Sequence, residues 1–168
     1  ANAQPKDLAD AAAEIYTDFE KKYAFLGKPL EINTTLPDGE KLEWSKYEGK
    51  VVLVDFWATW CKPCVAEMPH LKEVYAKYHP YGFEIIGVNV DEDPQARKDF
   101  LHKMEISWPN VGGKEAEKLV EELNANVYPT TYLIGRDGKV IGLTTTGRWL
   151  DSRLAELFPE AAKETKDE

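Results

Sequence analysis

Cysteine is nearly absent: the chain has two in 168 residues, and both lie within Trp60-Cys61-Lys62-Pro63-Cys64. A framework of several disulfides is therefore excluded. A zinc site would need two more thiolates or a closely spaced histidine pair, and His70, His79 and His102 are too scattered to supply one. No metal is expected. Long apolar runs are missing as well. The longest, Val51 to Trp60, is broken by Asp55, far from the roughly 18 to 20 apolar residues that cross a bilayer. No membrane span is expected. Basic residues are in deficit, 21 Lys and Arg against 30 Asp and Glu, giving a net charge of -9. That balance argues against nucleic acid or anionic lipid as a partner.

With 43% apolar residues, the chain suits one soluble domain with a sizeable core and some decoration. It begins at Ala1 rather than methionine, so it is read as processed or as part of a longer chain, with any signal or anchor outside it. Leu8, Ala11 or Ala12, Ile15, Phe19, Tyr23 and Leu26 recur at helical steps and stop at Gly27, which predicts an amphipathic helix closed by a glycine. Leu30 to Thr34 and Lys41 to Trp44 flank Leu36-Pro37-Asp38-Gly39 and predict a short hairpin. Val51 to Trp57 reads as a central strand buried on both faces. A helix follows, with Pro63 in its first turn, an apolar face of Cys64, Met68, Leu71, Tyr75 and Tyr78, and a kink at Pro69.

Phe83 to Val90 reads as a second buried strand, and Asp93-Pro94 as the cap and first turn of a helix carrying Phe100, Leu101 and Met104. A further helix is predicted over Lys114 to Leu123, then strands at Thr130 to Ile134 and Lys139 to Thr144 joined by Gly135-Arg136-Asp137-Gly138. Trp149 to Leu157 closes as a helix. Two buried strands linked through a helix imply a parallel βαβ unit, to which the late hairpin adds antiparallel strands. The predicted fold is α/β, a three-layer α/β/α sandwich with a central mixed sheet, an N-terminal hairpin addition and an extra N-terminal helix. Its boundaries are residues 1–27 for the helical extension, 28–158 for the domain and 159–168 for a mobile polar tail.

Two thiols two residues apart at a strand-to-helix junction carry redox chemistry better than they carry stability. A structural disulfide closing so short a loop would contribute only about 2 kcal/mol. A helix N-terminus holds about half a positive charge and unpaired N–H groups, so it favours a thiolate at Cys61. Cys61 is the expected nucleophile, its pKa drawn down from about 8.5 toward ambient pH, near the optimum for exchange. Lys62 pushes the same way. Cys64, on the apolar face, is the expected buried resolving thiol. Glu67, one turn beyond Cys64 on the same face, and Asp55, the only charge in the central strand, are the candidate proton acceptors.

Val52-Leu53-Val54-Asp55-Phe56-Trp57-Ala58-Thr59-Trp60-Cys61-Lys62-Pro63-Cys64, the helix proline Pro69 and Val127-Tyr128-Pro129-Thr130 resemble the thioredoxin superfamily in order and spacing. Leu26-Gly27-Lys28-Pro29 leading to Asp38-Gly39, with Glu67-Met68-Pro69 after the second cysteine, resembles its exported TlpA/ResA branch. The resemblance spans roughly Lys28 to Phe158. It implies a thioredoxin fold and thiol-disulfide exchange with protein thiols and disulfides, fed by an upstream electron donor. No cofactor beyond the dithiol is implied. It also implies a monomer in the bacterial periplasm or on an extracytoplasmic face. Pro129 matches the cis-proline facing the dithiol; Tyr128 and Thr130 would offer backbone groups to an extended substrate segment. Trp60, Lys62 and Pro63 would shape the docking surface.

Asp55 matches the buried aspartate of thioredoxins, a position usually not acidic in the TlpA/ResA branch, while Gly87 stands where cytosolic thioredoxins carry a buried lysine. Proline before the second cysteine resembles reducing members, so a potential below about -200 mV is expected. Two other functions compete. A peroxiredoxin-like peroxidase would need Thr or Ser at Ala58 and proline at Val54. A binding or chaperone module would use the cleft without turnover.

Overall fold

The computed structural model describes Ala13, Thr17 and residues 20–161. A two-stranded antiparallel ribbon, β1 (Thr34–Thr35) and β2 (Lys41–Leu42), precedes the main body. The body runs β3 (Val51–Trp57), α1 (Lys62–Tyr78), β4 (Phe83–Asn89), α2 (Pro94–Lys103), β5 (Asn110–Val111), α3 (Lys114–Glu122), β6 (Thr130–Ile134), β7 (Val140–Leu143) and α4 (Gly147–Leu157). Five strands form one mixed sheet in the order β5-β4-β3-β6-β7. β3, β4 and β5 are parallel, while β6 runs antiparallel to β3 and β7 antiparallel to β6.

β3 is central because its valines and aromatics suit a pleated surface buried on both sides, and all seven of its residues are buried. Val51, Leu53 and Trp57 point to one face, where they meet Cys64, Met68, Leu71, Val74 and Tyr78 of α1 and Leu150 and Leu154 of α4. Val52, Val54 and Phe56 point to the other, against Leu30, Ile32, Trp44 and the α3 residues Ala116 and Leu119. Each large side chain fully buried in this way stabilises the fold by roughly 1.5–3 kcal/mol.

α1 starts where Cys61 acts as N-cap, its sulfur accepting from the Cys64 N–H at 3.3 Å, with Pro63 in the first turn. It continues unbroken past Pro69 and ends in the 3₁₀ turn His79–Tyr81, closed by Gly82 at φ 95°. Asp93 caps α2 through the Gln95 N–H at 2.8 Å, as expected from Asp93-Pro94.

Three expectations are corrected. The predicted hairpin of Leu30 to Thr34 with Lys41 to Trp44 shrinks to two residue pairs, Thr34 with Leu42 and Thr35 with Lys41. The reason is Asn33, whose side chain accepts from the Trp44 N–H at 2.9 Å and turns Trp44 into a 3₁₀ segment that buries its ring. β5, absent from the sequence reading, is a two-residue strand too short for any periodicity. The N-terminal helix stops before Gly27: residues 20–23 are helical, and Gly27, at φ 75°, donates to the Val140 carbonyl instead of capping a helix. Leu8, Ala11, Ala12, Ile15 and Phe19 lie outside the described residues. Leu26 and Pro29 bridge to Val140 and Lys139, so this segment runs along the β7 edge, which would otherwise be open to pairing.

Of the polar tail, Ala161 is buried in the core and 162–168 lie outside the described residues. Among the described residues, no helix is long and apolar enough to cross a membrane.

Candidate active site

Parallel pairing of β3 with β4 brings the C-terminal ends of both strands to one edge, and α1 begins there. Asp91, just past β4, accepts from both the N–H and the hydroxyl of Thr59, at 3.1 and 2.7 Å, and so pins the turn that delivers Cys61. Cys61 and Cys64 are joined as a disulfide at the N-terminus of α1, with 5.3 Å between their Cα atoms. In this oxidised pair both residues are buried, Cys61 5% exposed and Cys64 2%.

Around the pair, Trp60 is 62% exposed and meets Tyr128 edge-on, ring centroids 5.8 Å apart. The Tyr128–Pro129 bond is cis, as the resemblance implied. Lys62 and Pro63 are exposed on the first turn of α1. Thr130 differs from the rest. It is fully buried, its hydroxyl donates to the Val127 carbonyl and accepts from Lys22 Nζ at 2.7 Å, so its side chain braces the proline loop.

Asp55 alternates with Leu53 and Trp57 and therefore points to the α1 side of the sheet. It is buried, and its carboxyl is pushed up to about 7, first by burial and then by the negative charge of Glu67. Its sheet neighbours explain why no cation among the described residues neutralises it. On β4 it faces Gly87, where an added Cβ would come within 2.0 Å of Asn110 Oδ1. That oxygen accepts from the Trp57 indole N–H at 2.9 Å, while the Asn110 amide donates to the Trp108 carbonyl at 3.0 Å. The space a lysine would need is already filled. On β6 it faces Thr131, whose hydroxyl is held by the backbone of Thr145.

Glu67 is placed otherwise. It lies a quarter exposed, and one oxygen accepts from the Gly147 N–H at 2.7 Å and contacts His70 Nδ1 at 2.8 Å. Thr146, the N-cap of α4, makes no side-chain cap bond. Glu67 caps that helix instead, where a carboxylate is favoured by the dipole. The sequence reading missed His70, Asp91 and Asn110. His70 had a signal, sitting three residues after Glu67 on one helix face; Asp91 and Asn110 matter through strand neighbours that no local pattern reveals. Among the described residues, no group of three His, Cys, Asp or Glu could hold a metal ion.

A disulfide-forming cysteine pair at a helix N-terminus, with a cis-proline next to the tyrosine that packs on Trp60, all on a mixed five-stranded sheet, defines a thioredoxin-fold thiol-disulfide oxidoreductase. Residues 17–149 match the Redoxin family. The chain belongs to that family, as a TlpA/ResA-like member of the thioredoxin superfamily. It is 37% identical over 126 residues to the thiol-disulfide oxidoreductase ResA of Bacillus thuringiensis, covering 75% of this chain and 72% of that protein. Its identity to the ResA of Geobacillus kaustophilus is 35% over 146 residues, 82% of this chain and 80% of the relative. The thioredoxin domain of a thiol-disulfide oxidoreductase from Bacteroides vulgatus superposes with a TM-score of 0.66 at 28% identity, covering 74% of this chain and 91% of the other. The protein is a thiol-disulfide oxidoreductase acting on protein thiols by dithiol exchange through Cys61 and Cys64.

Proposed function

We propose that the protein works as a reductase, with Asp55 as proton acceptor for the resolving step. The Cys61 thiolate attacks a substrate disulfide, forming a mixed disulfide and releasing one substrate thiolate. Asp55 takes the proton of Cys64, whose sulfur then attacks Cys61 and expels the second thiolate. Two electrons pass from the dithiol to the substrate, and one proton ends on Asp55. No cofactor takes part, and a second dithiol protein serves as electron donor to restore Cys61 and Cys64.

The observation that carries this reading is Asp55 itself, a buried carboxyl on the same side of the sheet as Cys64, with its proton affinity raised to about 7. A group with that affinity exchanges protons near neutrality. Glu67 contributes its charge near Asp55 and is itself held by the Gly147 N–H and His70. Trp60, Lys62, Pro63, Tyr128, Pro129 and the backbone of Thr130 form the surface that receives an extended substrate segment, and the protein acts as a monomer. Its similarity to the ResA oxidoreductases, an exported branch by the resemblance, supports an extracytoplasmic location, the periplasm where one exists.

Cys64→Ser tests the order of events. It should leave Cys61 to form mixed disulfides that persist and can be isolated with the bound partner; if no adduct accumulates, or if it is resolved as fast as in the unmodified protein, the assigned roles are wrong. A potential near that of a strong oxidant, about -120 mV, would reverse the reducing direction.

A further inference from the structure

His70 lies outside the redox motif, yet both of its ring nitrogens meet carboxylates. Nδ1 is 2.8 Å from Glu67 Oε1 and Nε2 is 2.7 Å from Asp151 Oδ1. A neutral imidazole has one N–H, so one of these contacts would set a nitrogen lone pair against a carboxylate lone pair. Only the doubly protonated ring donates to both. We propose that His70 is a positioning residue of the redox site: as an imidazolium it ties α1 to α4 and fixes Glu67 where its charge acts on Asp55. This rests on the reading of Asp55 as proton acceptor.

The surroundings favour the cation. On α1, Glu67, Glu73, Lys77 and Tyr78 face His70 or share its groove of about 380 Å³; Asp151 faces it from α4. Three carboxylates thus stand against one lysine. Partial burial pulls the imidazole pKa down, but the hydrogen bonds and charges of Glu67 and Asp151 outweigh it and leave it raised above 6.5. The stabilisation is therefore fully present below the ordinary histidine pKa and is lost as pH rises through the raised one. Glu67 also accepts from Gly147, so release of His70 frees one side of a carboxylate whose other side holds the start of α4.

Two variants separate the two bonds. His70→Gln keeps a donor near the Nε2 position, toward Asp151, and has none for Glu67; His70→Asn does the reverse. The readout is the carboxyl ¹³C titration of Asp55, assigned by its disappearance in Asp55→Asn. His70→Gln should shift the Asp55 midpoint by about half a unit or more, because it removes the imidazolium that stands against the Glu67 charge and leaves Glu67 without its donor, and His70→Asn should shift it less. In the unmodified protein, ¹⁵N shifts should show both ring nitrogens protonated at pH 7, where an ordinary imidazole is mostly neutral. A single neutral tautomer at pH 7 overturns the proposal without any variant. A wild-type Asp55 midpoint near 7 that neither variant moves overturns it alone, whereas absence of that midpoint overturns the proton-acceptor reading on which it rests.

Discussion

The two faces of β3 are equally dry but chemically unlike. Val52, Val54 and Phe56 pack into an apolar cluster with Leu30, Ile32, Trp44 and the α3 residues Ala116 and Leu119, with Glu84 and Thr130 beside them only at the two ends of the strand. Across the strand, Asp55 stands between Leu53 and Trp57 under α1, in a layer that also holds Cys61, Cys64 and, at its rim, Glu67 and His70. One face supplies stability and the other sacrifices some of it. An Asp55 carboxyl raised from 3.8 to about 7 weighs nothing against the fold below its unfolded pKa. The penalty grows through that interval and is complete above it, on the order of 4 kcal/mol.

Moving the charge to the other face should have the largest effect. Val54→Asp places a carboxylate among valines and aromatics, and chemical denaturation at pH 8 should show a loss of at least about 5 kcal/mol or an unfolded protein. A loss no larger than that borne by Asp55 would erase the contrast between the faces. Next comes Asp55→Asn, which keeps the shape and removes the charge. It should gain up to about 4 kcal/mol at pH 8 with the gain vanishing near pH 4, while resolution of the mixed disulfide slows about 100-fold. A pH-independent change in stability would show that Asp55 has an ordinary carboxyl. The smallest effect is expected from Gly87→Ala, which forces Asn110 aside and should cost about 1–3 kcal/mol. If it instead lowers the Asp55 midpoint with no loss of stability, the site has more room beside β4 than the packing of Asn110 indicates.

Much of the molecule was legible from local pattern. The run Val51 to Trp57 could be little else than a central strand, and its only acid announced itself by contrast with its neighbours. The Cys61-Lys62-Pro63-Cys64 spacing defined the chemistry because two thiols within one helical turn are within bonding reach. Weak local signals are where the reading fell short. β5 has two residues and is held by its neighbour β4; Trp44 leaves its strand because a side chain eleven residues away accepts its N–H.

From the chain alone came the order of every body element but β5, the redox pair and two candidate acids, since each depends on residue type and near-neighbour spacing. Only the tertiary structure separated those acids. Asp55 and Glu67 are both carboxylates near a dithiol in sequence. Their difference arises from distant parts of the chain: Asn110 closing the space beside Gly87 keeps a cation from Asp55, while Gly147, His70 and Asp151 gather around Glu67. Proton affinity is set by what surrounds a group in space, and packing across the sheet and between α1 and α4 determines those surroundings.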